Sequence, residues 1–103
     1  MSYTKHAQHY VGEVGTLLQV NTGIDLTVAT VTQLNIEKPD GTLVEWPATP
    51  IADEDDNLYI LQYVIQAGDL DQIGVYKVQV YVSFPSWTGC GTTATFVVYE
   101  FFT

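Results

Sequence analysis

The chain has 103 residues, of which 47% are hydrophobic and 13% aromatic, and its 12 acidic residues against 3 lysines give a formal net charge of −9. This length suits one domain with a single two-layer core. The negative charge would repel phosphate backbones and anionic lipids, so we expect no direct contact with nucleic acid or membranes. Cys90 is the only cysteine, so no internal disulfide can form and the fold does not depend on oxidation.

The N-terminal third predicts a short polar arm followed by two strands. The first ten residues, MSYTKHAQHY, lack the apolar core of a signal peptide, and no later run approaches a membrane span, so we expect synthesis in a cytoplasm. We expect residues 1–8 to be a flexible or docking arm of a single immunoglobulin-like domain, residues 1–103. Strands are predicted over residues 8–12 and 16–21, and a connection over residues 22–29 brings Ile24 and Leu26 to the core.

A hairpin follows. The segment TVTQLNIEKP alternates, with Thr32, Leu34 and Ile36 on one face. The turn PDGT combines a proline with Gly41, which tolerates a positive φ, and the segment LVEW returns as the partner strand. Trp46 closes this strand and is predicted to lie in the core, over the sheet.

The second half predicts further strands and no sustained helical period. The segment PATPIADEDDN is rich in proline and then in acidic residues, which is typical of a surface loop. The segment LYILQYVI, residues 58–65, predicts a buried strand, but it is apolar on both faces, so its inward face is ambiguous. Residues 66–74 form a crossing that can include one short helical turn. The next strand faces inward at Tyr76, Val78, Val80, Val82 and Phe84. PSWTGCGT is predicted to be a Gly-rich loop before a last strand that faces inward at Ala94, Phe96 and Val98.

The stretch DQIGVYKVQV is typical of a tyrosine corner, in which a tyrosine at the start of a strand hydrogen-bonds to backbone a few residues upstream. Tyr76 is that tyrosine, Gly74 precedes it by two residues, and Asp71 begins the stretch. The position two residues after the tyrosine, a disulfide cysteine in antibody domains, is Val78. With about seven predicted strands, the fold class is all-β, an immunoglobulin-like β-sandwich.

The order of these segments resembles one protein family. GEVGTLLQV, IDLTVATVTQLNIEKPDGTLVEW, LYILQYVI, AGDLDQIGVYKVQVYV and ATFVV follow one another as in small immunoglobulin-like structural proteins of tailed bacteriophages, and as in the N-terminal domain of phage upper baseplate proteins. The shared features are a G-D-x-G-T-like start, a D-L-x-x-A segment, a K-P-D-G-T hairpin and a G-D-L-x-x-x-G-x-Y corner, spanning roughly residues 10–99. Glu13 replaces the family's frequent aspartate, and the ending YEFFT has no counterpart.

The resemblance implies a non-enzymatic virion component of the tail, baseplate, neck or capsid surface. Its partners would be other phage structural proteins and further copies of itself, and it would be assembled in the host bacterial cytoplasm. The alternative is a carbohydrate- or host-surface-binding immunoglobulin-like module, since tryptophan and tyrosine also stack on sugars. A third hypothesis is an accessory protein of the cytoplasm, such as an assembly chaperone.

The acidic run DEDDNL comes closest to a motif with chemistry. Asp53, Asp55 and Asn57 occupy the first, third and fifth positions of an EF-hand-like loop, but Leu58 and Val64 stand where that loop needs glycine and glutamate. An EF-hand is therefore excluded, which leaves a loose Ca²⁺ site at residues 53–57 or, in preference, a solvated acidic loop. No cofactor and no metal are expected.

Other candidates for catalysis or metal binding also fail on spacing. His6 and His9 point to opposite sides of an extended segment, and no second cysteine accompanies Cys90, so zinc spacing is absent; both histidines are assigned to a floppy polar N-terminus. Ser86 has no general base placed beside it. Asp69 and Asp71 suit hydrogen bonds to nearby backbone amides. The sequence therefore predicts that the protein is not an enzyme.

Aromatic residues near the C-terminus are the candidate interface. Trp87 is either tucked over the end of the sandwich or presented to a partner, the residue type being enriched at binding hot spots. Tyr99, Phe101 and Phe102 make the last strand too apolar to leave in water, so we expect it to meet a neighbouring subunit as a homo-oligomer or repeated copies.

Overall fold

The structure is a computed structural model that describes residues 9–100, apart from the side chain of Thr92. This part of the chain forms eight β-strands: β1 His9–Tyr10, β2 Leu17–Asn21, β3 Val31–Glu37, β4 Leu43–Pro47, β5 Thr49–Ile51, β6 Ile60–Val64, β7 Gly74–Phe84 and β8 Trp87–Tyr99. The all-β immunoglobulin-like sandwich predicted from the sequence is confirmed. Across these residues no helix has the length and apolar character needed to cross a membrane. The predicted arm, residues 1–8, lies outside the described residues.

The strands pair into two sheets. One has five strands in the order β1-β8-β7-β3-β4, and the other has three in the order β2-β6-β5. All pairs are antiparallel except β1 with β8, where His9 and Tyr10 run parallel to Val98 and Tyr99. The predicted hairpin joins β3 to β4, with Gly41 at φ +90°. β8 therefore lies between β1 and β7 in the large sheet.

Alternation along the strands fills the space between the sheets. Leu34 and Ile36 of β3 face Val80 and Val78 of β7, and all four side chains are buried. The ambiguity of β6 is resolved, since Leu61 is the residue of this strand that is fully buried. Within residues 9–100, the buried apolar side chains are Leu18, Val20, Leu26, Leu34, Ile36, Trp46, Ala48, Leu61, Ile65, Leu70, Tyr76, Val78, Val80, Val82, Phe96 and Val98.

The Pro-rich segment after Trp46 is a strand and not a loop. β4 continues to Pro47, and the chain then passes into the second sheet as β5, so that it changes sheets at Ala48. Thr32 fixes the crossing, because its carbonyl accepts a hydrogen bond from Ala48 N at 3.2 Å and its hydroxyl donates to Ala48 O at 2.7 Å. Proline, which has no N–H to donate, is tolerated here because β4 and β5 are edge strands. This continuous crossing closes one side of the sandwich.

The predicted Gly-rich loop at PSWTGCGT is also a strand. Only Pro85 and Ser86 form a turn, and β8 begins at Trp87. Pairing with the long β7 supplies the ladder that the local sequence does not favour. A β-bulge interrupts the register where Gln79 faces Thr93 and Tyr81 faces Cys90, so β8 carries one extra residue there.

On the side of the sandwich opposite the crossing, no strand within residues 9–100 passes from one sheet to the other. β2 of the small sheet and β8 of the large sheet flank a cleft of about 180 Å³, lined among others by Val20, Val82 and Trp87. Ile24 also lines this cleft and is 39% exposed, whereas Leu26 is buried, so the connection over residues 22–29 sends only one of its two expected side chains into the core.

Candidate functional site

The geometry around Tyr76 is that of a tyrosine corner. The side chain is fully buried at the start of β7, and its ring stacks on Phe96 with centroids 5.2 Å apart. Its hydroxyl accepts a hydrogen bond from the backbone N of Gln72 at 3.1 Å and donates to the carbonyl of Asp69 at 3.4 Å. Burial raises the pKa of the Tyr76 hydroxyl. The crossing over residues 66–74 contains turns, without the helical turn that the sequence allowed.

The other residues of the corner differ in role. Gly74 has φ +133°, and a Cβ there would lie 3.0 Å from two side-chain atoms of Pro39, so glycine permits both the conformation and the close approach. Asp71 forms an ion pair with Lys38 Nζ at 2.8 Å, where the sequence predicted bonds to backbone amides. Asp69 does accept a hydrogen bond from a backbone amide, as predicted: its Oδ2 lies 2.7 Å from the backbone N of Gln66. This bond closes the turn over residues 66–69.

Replacing Tyr76 with phenylalanine is expected to lower the free energy of unfolding by about 1 to 2 kcal/mol, because Gln72 N then loses its acceptor in a partly buried site. Chemical denaturation measures this. Tyr81→Phe, on the opposite face of the same strand, is the control and should change stability by less than about 0.5 kcal/mol. Equal effects of the two substitutions would refute the tyrosine corner as a stabilising element.

The acidic loop is organised by hydrogen bonds within itself. Asp53 Oδ1 accepts from the backbone N of Asp55 and of Asn57, both at 2.9 Å. Asp56 has φ 62°, a left-handed conformation that aspartate adopts more easily than most residues. Within residues 9–100, no group of three or more His, Cys, Asp and Glu side chains is arranged to hold a metal ion. Asp53 Oδ1 is therefore used for hydrogen bonds to the backbone of its own loop. It does not join other carboxylate oxygens around a position where a metal ion could bind.

We expect the melting temperature to stay unchanged within error when EDTA or millimolar Ca²⁺ is added, since a ligand that binds only the folded state would raise it. Differential scanning calorimetry at constant ionic strength gives the measurement. Mg²⁺ at the same concentration controls for general screening of the acidic surface. A rise of several degrees with Ca²⁺ alone would contradict this expectation.

His9 has a place in the fold that the sequence did not indicate. Its side chain is buried, it meets the ring of Phe96 edge-on at 5.2 Å, and its Nδ1 lies 3.4 Å from Glu13 Oε1. The assignment of His9 to a floppy terminus is therefore wrong, because pairing of β1 with β8 places it against the core. Burial alone would raise the pKa of Glu13, but hydrogen bonds from Thr16, the Tyr10 amide and His9 hold it below its ordinary value. His6 lies outside the described residues.

A broad depression lies on the outer face of the large sheet. Its volume is about 610 Å³, and it is lined by Asn35, Ile36, Glu37, Leu43, Val44, Glu45, Lys77, Gln79 and Thr93. The charged groups in it are already paired, since Lys77 Nζ lies 3.2 Å from Glu37 Oε1. Glu45 likewise accepts a hydrogen bond from Gln33 at 3.1 Å. This depression therefore brings no nucleophile together with a base.

Trp87 lies at the cleft between β2 and β8. The side chain is 52% exposed, its ring lies 5.9 Å from that of Phe84, and it covers Gly89 so closely that a Cβ there would meet the indole at 2.5 Å. One part of the ring therefore lies against Phe84 and Gly89, and the other part faces solvent.

Tyr99, another interface candidate, lies at the C-terminal end of β8. Tyr99 is half-buried and its ring lies 6.5 Å from that of Tyr10. Val97, on the same outer face, pairs with Val75 of β7, and both are exposed. Phe101 and Phe102 lie outside the described residues.

One side of the molecule carries an uncharged surface, which no single sequence motif indicates. Residues 78–99, which contain all of β8 and most of β7, include no Asp, Glu, Lys or Arg, although the chain carries a net charge of −9. Across the cleft, β2 is uncharged as well. The distribution of charged residues along the sequence is the signal that could have identified the uncharged run over residues 78–99. Only the structure shows that this run and β2 lie on one side of the molecule.

Comparison with known proteins identifies a similar fold. No family model matches the chain, and no curated protein matches it. A solved structure, that of CopC from Methylosinus trichosporium OB3b, matches with a TM-score of 0.59 over 94% of this chain and 88% of that chain, at 19% sequence identity. At this identity the match shows a shared fold.

The expected phage relationship is wrong. The solved structure described above is that of CopC, which is not a phage protein, and no family model or curated protein supports the phage relationship. The inferred structural role in a virion and the location in a virion fall with it. The physical reason is that a K-P-D-G-T hairpin and a G-x-Y corner satisfy requirements of the β-sandwich itself, so their order follows the fold and does not identify a family.

Proposed function

We propose that this chain is a non-enzymatic β-sandwich domain that forms a homo-oligomer through the side of the molecule that carries β8. The observation that carries the proposal is the uncharged run over residues 78–99. A copy with net charge −9 is repelled by an identical copy over most of its surface. The uncharged side is where two copies approach each other at the lowest electrostatic cost.

Exposed apolar side chains on this side support the proposal. Trp87 is 52% exposed at one end of β8, and Val97 and Val75 are exposed at the other. Aromatic residues are enriched at the centres of interfaces, where charged residues are depleted. The non-enzymatic part is supported by the internal pairing of the charged groups in the large depression, which leaves no free acid and base facing each other there.

Static light scattering of the intact protein is expected to give a mass of at least twice 11.4 kDa at micromolar concentration. Association should strengthen as salt rises, because the screening length falls from about 30 Å at 0.01 M to about 8 Å at 0.15 M and the repulsion between copies falls with it. Attraction to a basic partner would show the opposite salt dependence. A monomer at all salt concentrations up to high micromolar protein would refute the proposal.

A variant that ends at Val98 shows how much the C-terminal aromatics contribute. It lacks Tyr99, Phe101 and Phe102, and its association should be weaker than that of the intact chain. Circular dichroism of the variant serves as the check that the sandwich is retained.

A further inference from the structure

The short strand β1 sets the direction in which the preceding chain reaches the sandwich. His9 and Tyr10 run parallel to β8, opposite Val98 and Tyr99. Among the strands of residues 9–100, β1 is the one that lies on the side of β8 away from β7. The chain that leads into His9 therefore arrives on the side of β8 that β1 already occupies.

The sequence of residues 1–8 suits a strand that pairs there and ends the sheet. MSYTKHAQ contains no proline, so no residue in it lacks the N–H that a ladder needs. Edge strands of natural sheets commonly carry lysine or other charges, or proline, which disfavour pairing with a further molecule. β8 has neither charge nor proline between Trp87 and Tyr99, whereas the N-terminal segment contains Lys5. This segment can therefore provide the protected edge that β8 itself does not.

The charge of this segment also favours its contact with the rest of the chain. Residues 1–8 contain one lysine and no acidic residue, whereas the whole chain has a net charge of −9. A positively charged segment is attracted to an acidic body. This attraction brings the segment to the domain, and the direction of β1 determines where it lies.

We propose that residues 4–8 continue β1 as a strand parallel to β8, opposite residues 93–97, and form the outer edge of the large sheet. The register is the one that places His9 opposite Val98, continued towards the N-terminus without a shift. Beyond Thr93 the bulge interrupts the regular ladder of β8, so the pairing ends there. The segment is thus a strap that covers the edge of β8 and withholds it from other molecules.

An engineered disulfide tests the position of the strap. Thr4→Cys and Thr93→Cys, in a Cys90→Ser background, would lie opposite each other on strands about 4.8 Å apart. A disulfide needs a Cα separation of roughly 4.4 to 6.8 Å. Mild oxidation should therefore remove both thiols in most molecules and give a monomer that migrates faster on a non-reducing gel. Thr4→Cys with Gln79→Cys is the matched control and should keep its thiols, since Gln79 faces Thr93 from β7, one strand further away.

Hydrogen exchange measured by NMR tests the same contact without introduced cysteines. Along a strand, successive backbone amides point to opposite edges, so alternate amides of residues 93–97 point away from β7. In the intact protein these amides should exchange at least about tenfold more slowly than in a variant that lacks residues 2–8. The amides that bond to β7 should stay protected in both proteins, which controls for folding.

Light scattering tests whether the strap protects the edge. The variant that lacks residues 2–8 should have a larger mass than the intact protein at equal concentration, because its β8 edge can pair with other molecules. An unchanged mass would overturn the protective role.

The remaining outcomes decide who supplies the strap. A disulfide-linked dimer in place of the intramolecular disulfide would mean that another copy supplies it, and the inference would be wrong. The inference is also wrong if the Thr4 and Thr93 pair oxidises no faster than its control, or if the alternate amides exchange equally fast in both proteins. It does not rest on the proposed homo-oligomer: a monomeric intact protein refutes that proposal and leaves the strap standing.

Discussion

Replacing Trp46 with alanine is expected to lower the free energy of unfolding by about 3 to 5 kcal/mol, the usual cost of removing a large buried aromatic side chain. Trp46 is 4% exposed, and its ring stacks on Tyr63 with centroids 4.8 Å apart and planes 12° from parallel. The substitution leaves a cavity between the sheets, and it removes the contact that holds Tyr63 against β4. Urea denaturation followed by circular dichroism measures the loss.

The matched control for Trp46 lies on the same strand. Leu43 is 74% exposed at the start of β4, and Leu43→Ala should change stability by less than about 0.5 kcal/mol. A loss below about 1 kcal/mol for Trp46→Ala would contradict the position of this side chain in the core.

Alanine at Gly74 is expected to destabilise the domain by about 1 to 3 kcal/mol, the range for a residue forced into a sparsely populated backbone conformation. The residue has φ +133°, and the added Cβ would lie 3.0 Å from the Cβ and Cγ of Pro39. Both effects act at the start of β7, where the tyrosine corner is held. The change in unfolding free energy is measured by denaturant titration.

Gly91→Ala is the control for Gly74, because a Cβ at Gly91 would make an ordinary contact of 3.6 Å with Val80. This substitution should be close to neutral or slightly stabilising, since alanine restricts the unfolded chain more than glycine does. If the two alanine variants lost the same stability, backbone strain at Gly74 would not be the cause.

The mistaken strand boundaries have a common origin. The segments PATPIADEDDN and PSWTGCGT contain proline and glycine, which mark loops by local propensity. In the fold, β5 pairs with β6 and the start of β8 pairs with β7. Ladder pairing with a neighbour that is distant in sequence outweighs a propensity of roughly 1 kcal/mol or less per residue.

What the sequence determined by itself was the β-sandwich and most of its inward faces. The alternation over Leu34 and Ile36, the PDGT turn at Gly41 and the corner ending in Tyr76 are local patterns, because side-chain period and backbone dihedral are set by neighbouring residues.

Only the tertiary structure decided the change of sheet at Ala48, the burial of His9 and the position of β8 beside β2. Each of these depends on which strands become neighbours in space, and strand order is fixed by packing of the whole core rather than by any short segment. The candidate interaction surface belongs to this second group, since the sequence supplies an uncharged run and the sheet order places it on the same side of the molecule as the uncharged β2.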